Sequence, residues 1–223
     1  MSLHSGERQV ATEYGAIRAD HRFRYEWADA RIPKAGFGLD VFCGNGYGTW
    51  LLAASRIVLG IDGSGEAIRL ADAHFRTPRT LFSANYYPFE LPEGTFDFVV
   101  SLESVEHVEN GAGFFHRLVH ALKPGGLLVF STPCEDRLPH AMTGNHFHFK
   151  HYTFEETLAL ATSAGMEVLD WAGQNVCKRG LKALLTPAEV EGNDAQMSST
   201  CRSMWNGTRH VPPAAVPVPI VAV

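Results

Sequence analysis

The run Leu39-Asp-Val-Phe-Cys-Gly-Asn-Gly-Tyr-Gly48 constrains this chain more than any other stretch. An apolar strand leads straight into a loop with Gly44, Gly46 and Gly48 alternating, and a helix-like run from Thr49 to Ala54 follows. A second apolar run, Ile57-Val-Leu-Gly-Ile61, ends on Asp62. Glycine lets backbone approach a ligand closely, and an acid ending the next strand can grip a ribose diol. Together they point to a nucleoside cofactor at the carboxyl edge of a parallel sheet.

The rest of the chain suits such a sheet. Between residues 38 and 172 strand-like and helix-like runs alternate, with strands expected at 39–43, 57–61, 80–83, 96–101, 127–132 and 166–171. Ser64 suits the N-cap of a helix over 64–75 that buries Ile68, Ala71 and Phe75. Phe114, Phe115, Leu118, Val119 and Leu122 recur at helical spacing over 109–122, and Lys123-Pro-Gly-Gly126 stops that helix. Thr153-Phe-Glu-Glu156 is a capping box opening a helix over 153–164. The pattern implies a doubly wound α/β fold with helices on both faces of a mostly parallel sheet.

Three regions are expected. Residues 1–35, with Arg18, His21, Arg22, Arg24, Tyr25 and Trp27 close together, read as an N-terminal helical cover over the cofactor cleft or as an ordinary helix docked on the sheet. Residues 36–178 form the cofactor-binding domain, with Gln174 to Lys178 as a candidate last strand. Residues 179–223, with Pro187, Pro212, Pro213, Pro217 and Pro219 and no clear period, read as an irregular tail.

Composition narrows the partners. The formal net charge of −5 gives no broad pull toward nucleic acid or an anionic membrane. No run approaches the ~18 apolar residues of a membrane span, and the N-terminus lacks an apolar signal core. Cys43, Cys134, Cys177 and Cys201 are scattered without a C-x-x-C pair, which suits reduced thiols in a cytoplasm.

A dinucleotide fingerprint needs G-x-G-x-x-G, but here the third glycine falls one residue early and Thr49 stands in its place. The spacing resembles motif I of the class I S-adenosylmethionine-dependent methyltransferases. Gly60-Ile-Asp-Gly-Ser64 looks like that family's second strand end, Leu91 to Ser101 like its fourth strand, and Leu122 to Pro133 like its fifth strand with its lead-in. The resemblance covers residues 36–172 and implies a seven-stranded Rossmann-like sheet holding S-adenosyl-L-methionine. It assigns Gly44 and Gly46 to the backbone cradle and Asp62 to the ribose hydroxyls. Asp40 anchors the loop, or the ligand ammonium through an intermediate group. Ser83 and Asn85 stand where the family places an acid facing the adenine, or in a plain turn; Ser101 ends strand four. The chain departs from the family at Phe42, which replaces the first glycine of Asp-x-Gly-x-Gly-x-Gly; Phe fits without backbone cost only where the strand is still extended.

Strand four runs into Ser101-Leu-Glu-Ser-Val-Glu-His107, and His146-Phe-His-Phe-Lys-His151 precedes the Thr153 cap. On a helical turn Glu103, Glu106 and His107 share one face. This element resembles the ubiquinone-biosynthesis O-methyltransferases and the small-RNA 3′-terminal 2′-O-methyltransferases. That resemblance implies a divalent cation such as Mg held by Glu103, Glu106, His107 and His148. The rival reading makes His107 a general base beside Glu106, with no metal. His146 and His151 read as surface or structural residues. The expected function is methylation of a small-molecule hydroxyl or amine. The alternatives are a non-catalytic methyltransferase-like module acting through a partner, an RNA 3′-end 2′-O-methyltransferase and an NAD-dependent oxidoreductase.

Overall fold

β1 (Phe37–Val41), β2 (Ile57–Asp62), β3 (Thr80–Ala84) and β4 (Phe96–Leu102) form where the apolar runs place them. The computed structural model of the chain describes residues 9–136, 138–174 and 218–222. They divide into two compact units. One is the chain through Leu102 together with His116–Val129; the other is Glu103–Phe115 together with the chain from Phe130 onward.

In the first unit β1 pairs in parallel with β2 and with β4, and β2 pairs in parallel with β3. Leu39 lies opposite both Leu59 and Val99. With β5 (Leu122–Ser131) the strand order is β3-β2-β1-β4-β5, a five-stranded parallel sheet. Leu39, Val41, Phe98, Val99 and Val100 are fully buried, as strands covered on both faces require. The chain starts at the centre, moves outward to β3, and crosses back to β4. The order therefore reverses between β1 and β4, and ligands of such sheets bind outside the carboxyl ends of the strands at that reversal.

α3 (Gly65–His74) opens as expected, with the Ser64 hydroxyl accepting from the Ala67 N–H at 3.3 Å. Ile68, Ala71 and Phe75 are buried. α4 (Gly111–Ala121) ends at the predicted stop, and its last carbonyls take the N–H groups of Gly94 and Thr95 at 3.0 and 2.9 Å. The extended chain then begins at once, so β5 starts at Leu122 and takes in Lys123-Pro-Gly-Gly126.

α1 (Ala19–Asp29) and α2 (Tyr47–Leu52) lie on either side of β1 in sequence. Arg56, 2% exposed, pins the end of α1. Its guanidinium donates to the Asp29 carboxylate at 2.5 Å, to the Leu52 carbonyl at 2.9 Å and to the Pro33 carbonyl.

In the second unit, α5 (His140–Thr143) and α6 (Phe154–Ser163) follow β5. The capping box on α6 is complete: Thr153 Oγ1 accepts from the Glu156 N–H at 3.0 Å, and the Glu156 carboxylate accepts from the Thr153 N–H at 3.0 Å. A parallel bridge between Cys134 and Tyr152 closes the base of the intervening loop, with the Glu135 N–H donating to the Tyr152 carbonyl at 2.8 Å. β6 (Asp170–Gln174) pairs antiparallel with β7 (Val218–Ala222). The strand expected at 166–171 thus begins late. Met166 to Leu169 are not in it, and Leu169 is 62% exposed, with no sheet face to bury it. The stretch read as an irregular tail includes β7; residues 175–217, with most of that tail and of the candidate strand at 174–178, lie outside the described residues. Among the described residues no helix is long and apolar enough to cross a membrane.

Replacing Arg56 with Met leaves the partly exposed Asp29 carboxylate to Lys34 and solvent and removes the donor to the buried Leu52 and Ile32 carbonyls. The expected cost is about 1–3 kcal/mol, read as a lowered urea midpoint with an unchanged slope; a change below about 0.5 kcal/mol, typical of an ordinary surface substitution, contradicts the pinning role.

Candidate active site

The glycine loop is held from beneath by Asp40. This carboxylate is 0% exposed, and it accepts from Thr49 Oγ1 at 2.6 Å and from Tyr25 Oη at 3.1 Å. Thr49 belongs to α2 and Tyr25 to α1, so one buried acid ties β1 to both helices. The glycines are needed for packing as well as for turning. A Cβ on Gly48 would sit 2.0 Å from the Tyr25 ring. Gly46, at φ +87°, would press against Ala71 and Phe82. The segment before α1 also reaches the loop, since Asn45 Nδ2 donates to the Ala11 carbonyl. His21 Nδ1 lies 3.2 Å from Tyr47 Oη, and burial pushes the His21 pKa down to about 3.

Asp62 braces the same loop from the next strand. Its carboxylate accepts from the Gly44 N–H at 3.0 Å and from the Ser64 N–H at 2.8 Å. It therefore fastens the glycine loop to the start of α3. Ser83 and Asn85 bond to each other, Asn85 Nδ2 donating to Ser83 Oγ at 3.0 Å, and the Asn85 N–H is held by the Asp62 carbonyl at 2.9 Å. Ser101 is buried in β4.

Phe42 departs from the extended backbone that would accommodate it freely. Its φ is +57°, in the left-handed region that glycine adopts without steric cost. Such a conformation costs a bulky residue about 1–3 kcal/mol and persists only where its surroundings over-determine it. The Phe42 ring stands edge-on to Phe89 at 6.4 Å, which supplies part of that support.

The second unit gathers three of the four residues expected around a cation. Glu106, His107 and His148 each place a ligand atom within 4.8 Å of the others. Backbone bonds bring them together. Val105–His107 form a short 3-10 turn, and the Glu106 carbonyl takes the Phe149 N–H at 2.7 Å. His107 Nδ1 lies 3.2 Å from the Phe147 carbonyl. A carbonyl only accepts, so Nδ1 carries the proton, and in the neutral ring Nε2 is the acceptor nitrogen. The His107 and His148 rings stand edge-on at 4.6 Å. Burial, and then the neighbouring imidazoles, push the His148 pKa down to about 3, so this ring is neutral at pH 7.

Glu103 lies elsewhere. It precedes the turn at φ +51° instead of sharing a helical face, and its carboxylate accepts from Ser131 Oγ at 2.7 Å. Phe42 and Glu103 are the non-glycine residues with positive φ among the described residues, and each directly follows a central strand, β1 and β4. His146 is exposed, whereas His151 is 2% exposed and bonds to His148.

Sequence reasoning missed Tyr25 as a partner of Asp40, Thr49 as its second donor, and His140 beside His148 and His151. The only available signal was Tyr25 among the aromatic and basic residues of the N-terminal segment.

Burial raises the Asp40 pKa to about 7, against the lowering effect of its hydrogen bonds from Thr49 and Tyr25. The folded state thus holds this proton more tightly than the unfolded chain does, whose aspartates titrate near ~3.9. Stability from that protonation is present below pH ~4 and is lost as pH rises to about 7. Relative to Asp40→Asn, the wild type is therefore expected to lose stability between pH 4 and 7 and to level off above. Urea unfolding at stepped pH measures this; a difference independent of pH contradicts it.

A methyltransferase domain family matches residues 39–130. A Mycolicibacterium smegmatis protein named a probable S-adenosylmethionine-dependent methyltransferase is 32% identical over 177 residues, covering 76% of this chain and 67% of its own. A ubiquinone biosynthesis O-methyltransferase of Hydrogenovibrio crunogenus is 32% identical over 181 residues, covering 72% of this chain and 75% of its own. Among solved structures, an S-adenosylmethionine-dependent methyltransferase from Mesorhizobium loti superposes with a TM-score of 0.62 at 19% identity, over 89% of this chain and 96% of that one. With the strand order, the glycine loop and the acid ending β2, these likenesses place the chain in the family of S-adenosylmethionine-dependent methyltransferases.

Proposed function

We propose that the chain transfers the methyl group of S-adenosylmethionine to a hydroxyl of a small-molecule acceptor. The observation that carries the choice of hydroxyl is the grouping of Glu106, His107 and His148, a base and ligand set suited to deprotonating an alcohol or phenol. The name of the Hydrogenovibrio crunogenus relative, an O-methyltransferase, points the same way. In the full chain we propose the seven-stranded sheet, completed by the β6–β7 pair, and a cytoplasmic setting.

The first unit fits the cofactor. A Cβ on Gly44 would meet nothing within 4 Å, so the loop backbone is open there. Each Asp62 oxygen takes one backbone N–H, and an ionised carboxylate oxygen can accept more than one hydrogen bond, as a ribose diol requires. Asn45 Oδ1 is buried with no hydrogen-bond partner among the described residues, an acceptor suited to a ligand donor. Gly44, Gly46 and Asp62 thus hold the cofactor, Ser83 and Asn85 face its base, and Ser101 lines the end of β4. Asp40 acts from beneath by fixing the loop. S-adenosylmethionine supplies a methyl carbon already activated by its sulfonium, so positioning and exclusion of water provide most of the acceleration.

In the second unit His107, with its Nδ1 proton spent on the Phe147 carbonyl, offers Nε2 to take the acceptor proton. The same donor set fits a divalent cation, with one carboxylate and two imidazoles leaving positions open for the acceptor. Such a cation, when bound, would lower the pKa of a hydroxyl it holds. Glu103, bonded to Ser131, would have to turn to join it.

The test is an acceptor screen with labelled S-adenosylmethionine, followed by His107→Ala on the acceptor found. The substitution should lower kcat by roughly 10²–10⁴ and leave cofactor affinity unchanged. Activity lost on chelation and restored by Mn²⁺ assigns the cation role; activity untouched by chelation and by His148→Ala leaves His107 as the base alone. Retained kcat in His107→Ala sinks both.

A further inference from the structure

We infer that His151 is a positioning residue: from the interior of the second unit it holds His148 in the tautomer whose Nε2 lacks a proton. Its use rests on the proposed role of His148, but its existence does not. His151 is 2% exposed, and its Nδ1 lies 2.7 Å from the Leu138 carbonyl. That oxygen only accepts, so His151 Nδ1 carries the proton. In the neutral ring Nε2 is then an acceptor, and the atom it meets, at 2.8 Å, is His148 Nδ1. His148 must therefore donate from Nδ1. The proton pattern of His148 is set by a backbone carbonyl two steps away, through a buried ring.

His107 is set the same way by the Phe147 carbonyl. Two backbone carbonyls, those of Phe147 and Leu138, thus leave Nε2 unprotonated on both imidazoles of the Glu106 cluster. Backbone or side-chain acceptors behind a ligating histidine have this effect on ring orientation and basicity, and their loss typically costs 10–100-fold in metal affinity. The loop geometry serves the relay. Asn145 Oδ1 holds the Phe147 N–H at 3.0 Å, and the Asn145 carbonyl lies 3.1 Å from His140 Nε2. The His140 ring packs 5.1 Å from that of His151. A competing arrangement exists on the same atoms. Glu135 lies 3.9 Å from His151 Nδ1, and a cationic His151 paired with it would donate from Nε2 and reverse the bond to His148.

The test uses the full chain labelled with ¹⁵N in histidine, with Mn²⁺ alone as the metal probe. Ring nitrogen shifts should show His148 and His151 both protonated at Nδ1. In His151→Leu, which fills the space but breaks the relay, His148 should shift toward a mixture of tautomers and Mn²⁺ affinity should fall by roughly 10–100-fold. His151→Gln, whose amide can donate to Leu138 and accept from His148, should restore both readouts. A wild-type His148 protonated at Nε2 overturns the inference, as does a folded His151→Leu with an unchanged His148 tautomer. If the wild type binds no Mn²⁺, the cation reading fails while the tautomer readout still decides the relay. If His151→Leu does not fold, the wild-type tautomers and His151→Gln decide it: a shifted His148 in the Gln variant counts against the relay, a retained one for it.

Discussion

The buried Asp40 carboxylate is the constraint on which the first unit depends. A carboxylate without solvent must be protonated or hydrogen-bonded, and Asp40 recruits donors from two separate helices to meet that need. Thr49 fixes the start of α2 over the glycine loop, and Tyr25 draws α1 against it. The close approach of the Tyr25 ring then demands glycine at position 48. Asp62, next door on β2, repeats the device with backbone donors and fastens the loop to α3. The glycine loop and the start of α2 are thus held by two acids from the ends of β1 and β2. Preorganisation of that kind reduces the ordering cost of binding.

Strain follows two of the strands. Phe42 and Glu103 take left-handed backbone immediately after β1 and β4, the neighbouring strands where the order reverses. Neither residue is suited to that conformation, and both are held by specific contacts: Phe42 by the Phe89 ring, and Glu103 by the Ser131 carbonyl and hydroxyl, both of which accept from its N–H. Left-handed turns at these points redirect the chain out of the strands. Glycine at Phe42 would do so at lower cost, by about 1–3 kcal/mol of backbone strain.

Much of the fold was legible because its signals are local. The Ser64 cap, the Thr153–Glu156 box and the apolar spacing of α4 each lie within a few residues, and each formed where expected. The glycine loop and Asp62 were legible for the same reason. Partners distant in sequence were not. Tyr25 finds Asp40 fifteen positions away, and His107 finds the Phe147 carbonyl forty away, with nothing in either local pattern to announce the meeting. His151 looked like one of several histidines in a short run, and only burial separates it from the exposed His146. The strand expected at 166–171 was placed too early because Met166, Val168 and Leu169 mimic a strand while Leu169 stays exposed, and β7 was missed because it lies among prolines.

The proposal that the loop braced by Asp40 and Asp62 holds S-adenosylmethionine can be measured by isothermal calorimetry with the full chain. Saturable binding is expected in the wild type, weakened more than tenfold in Asp62→Ala. Losing one hydrogen bond to a charged group costs about 1.5–3 kcal/mol, and 1.4 kcal/mol is about tenfold in affinity. No detectable heat at millimolar ligand, or equal affinity in Asp62→Ala, would contradict the account.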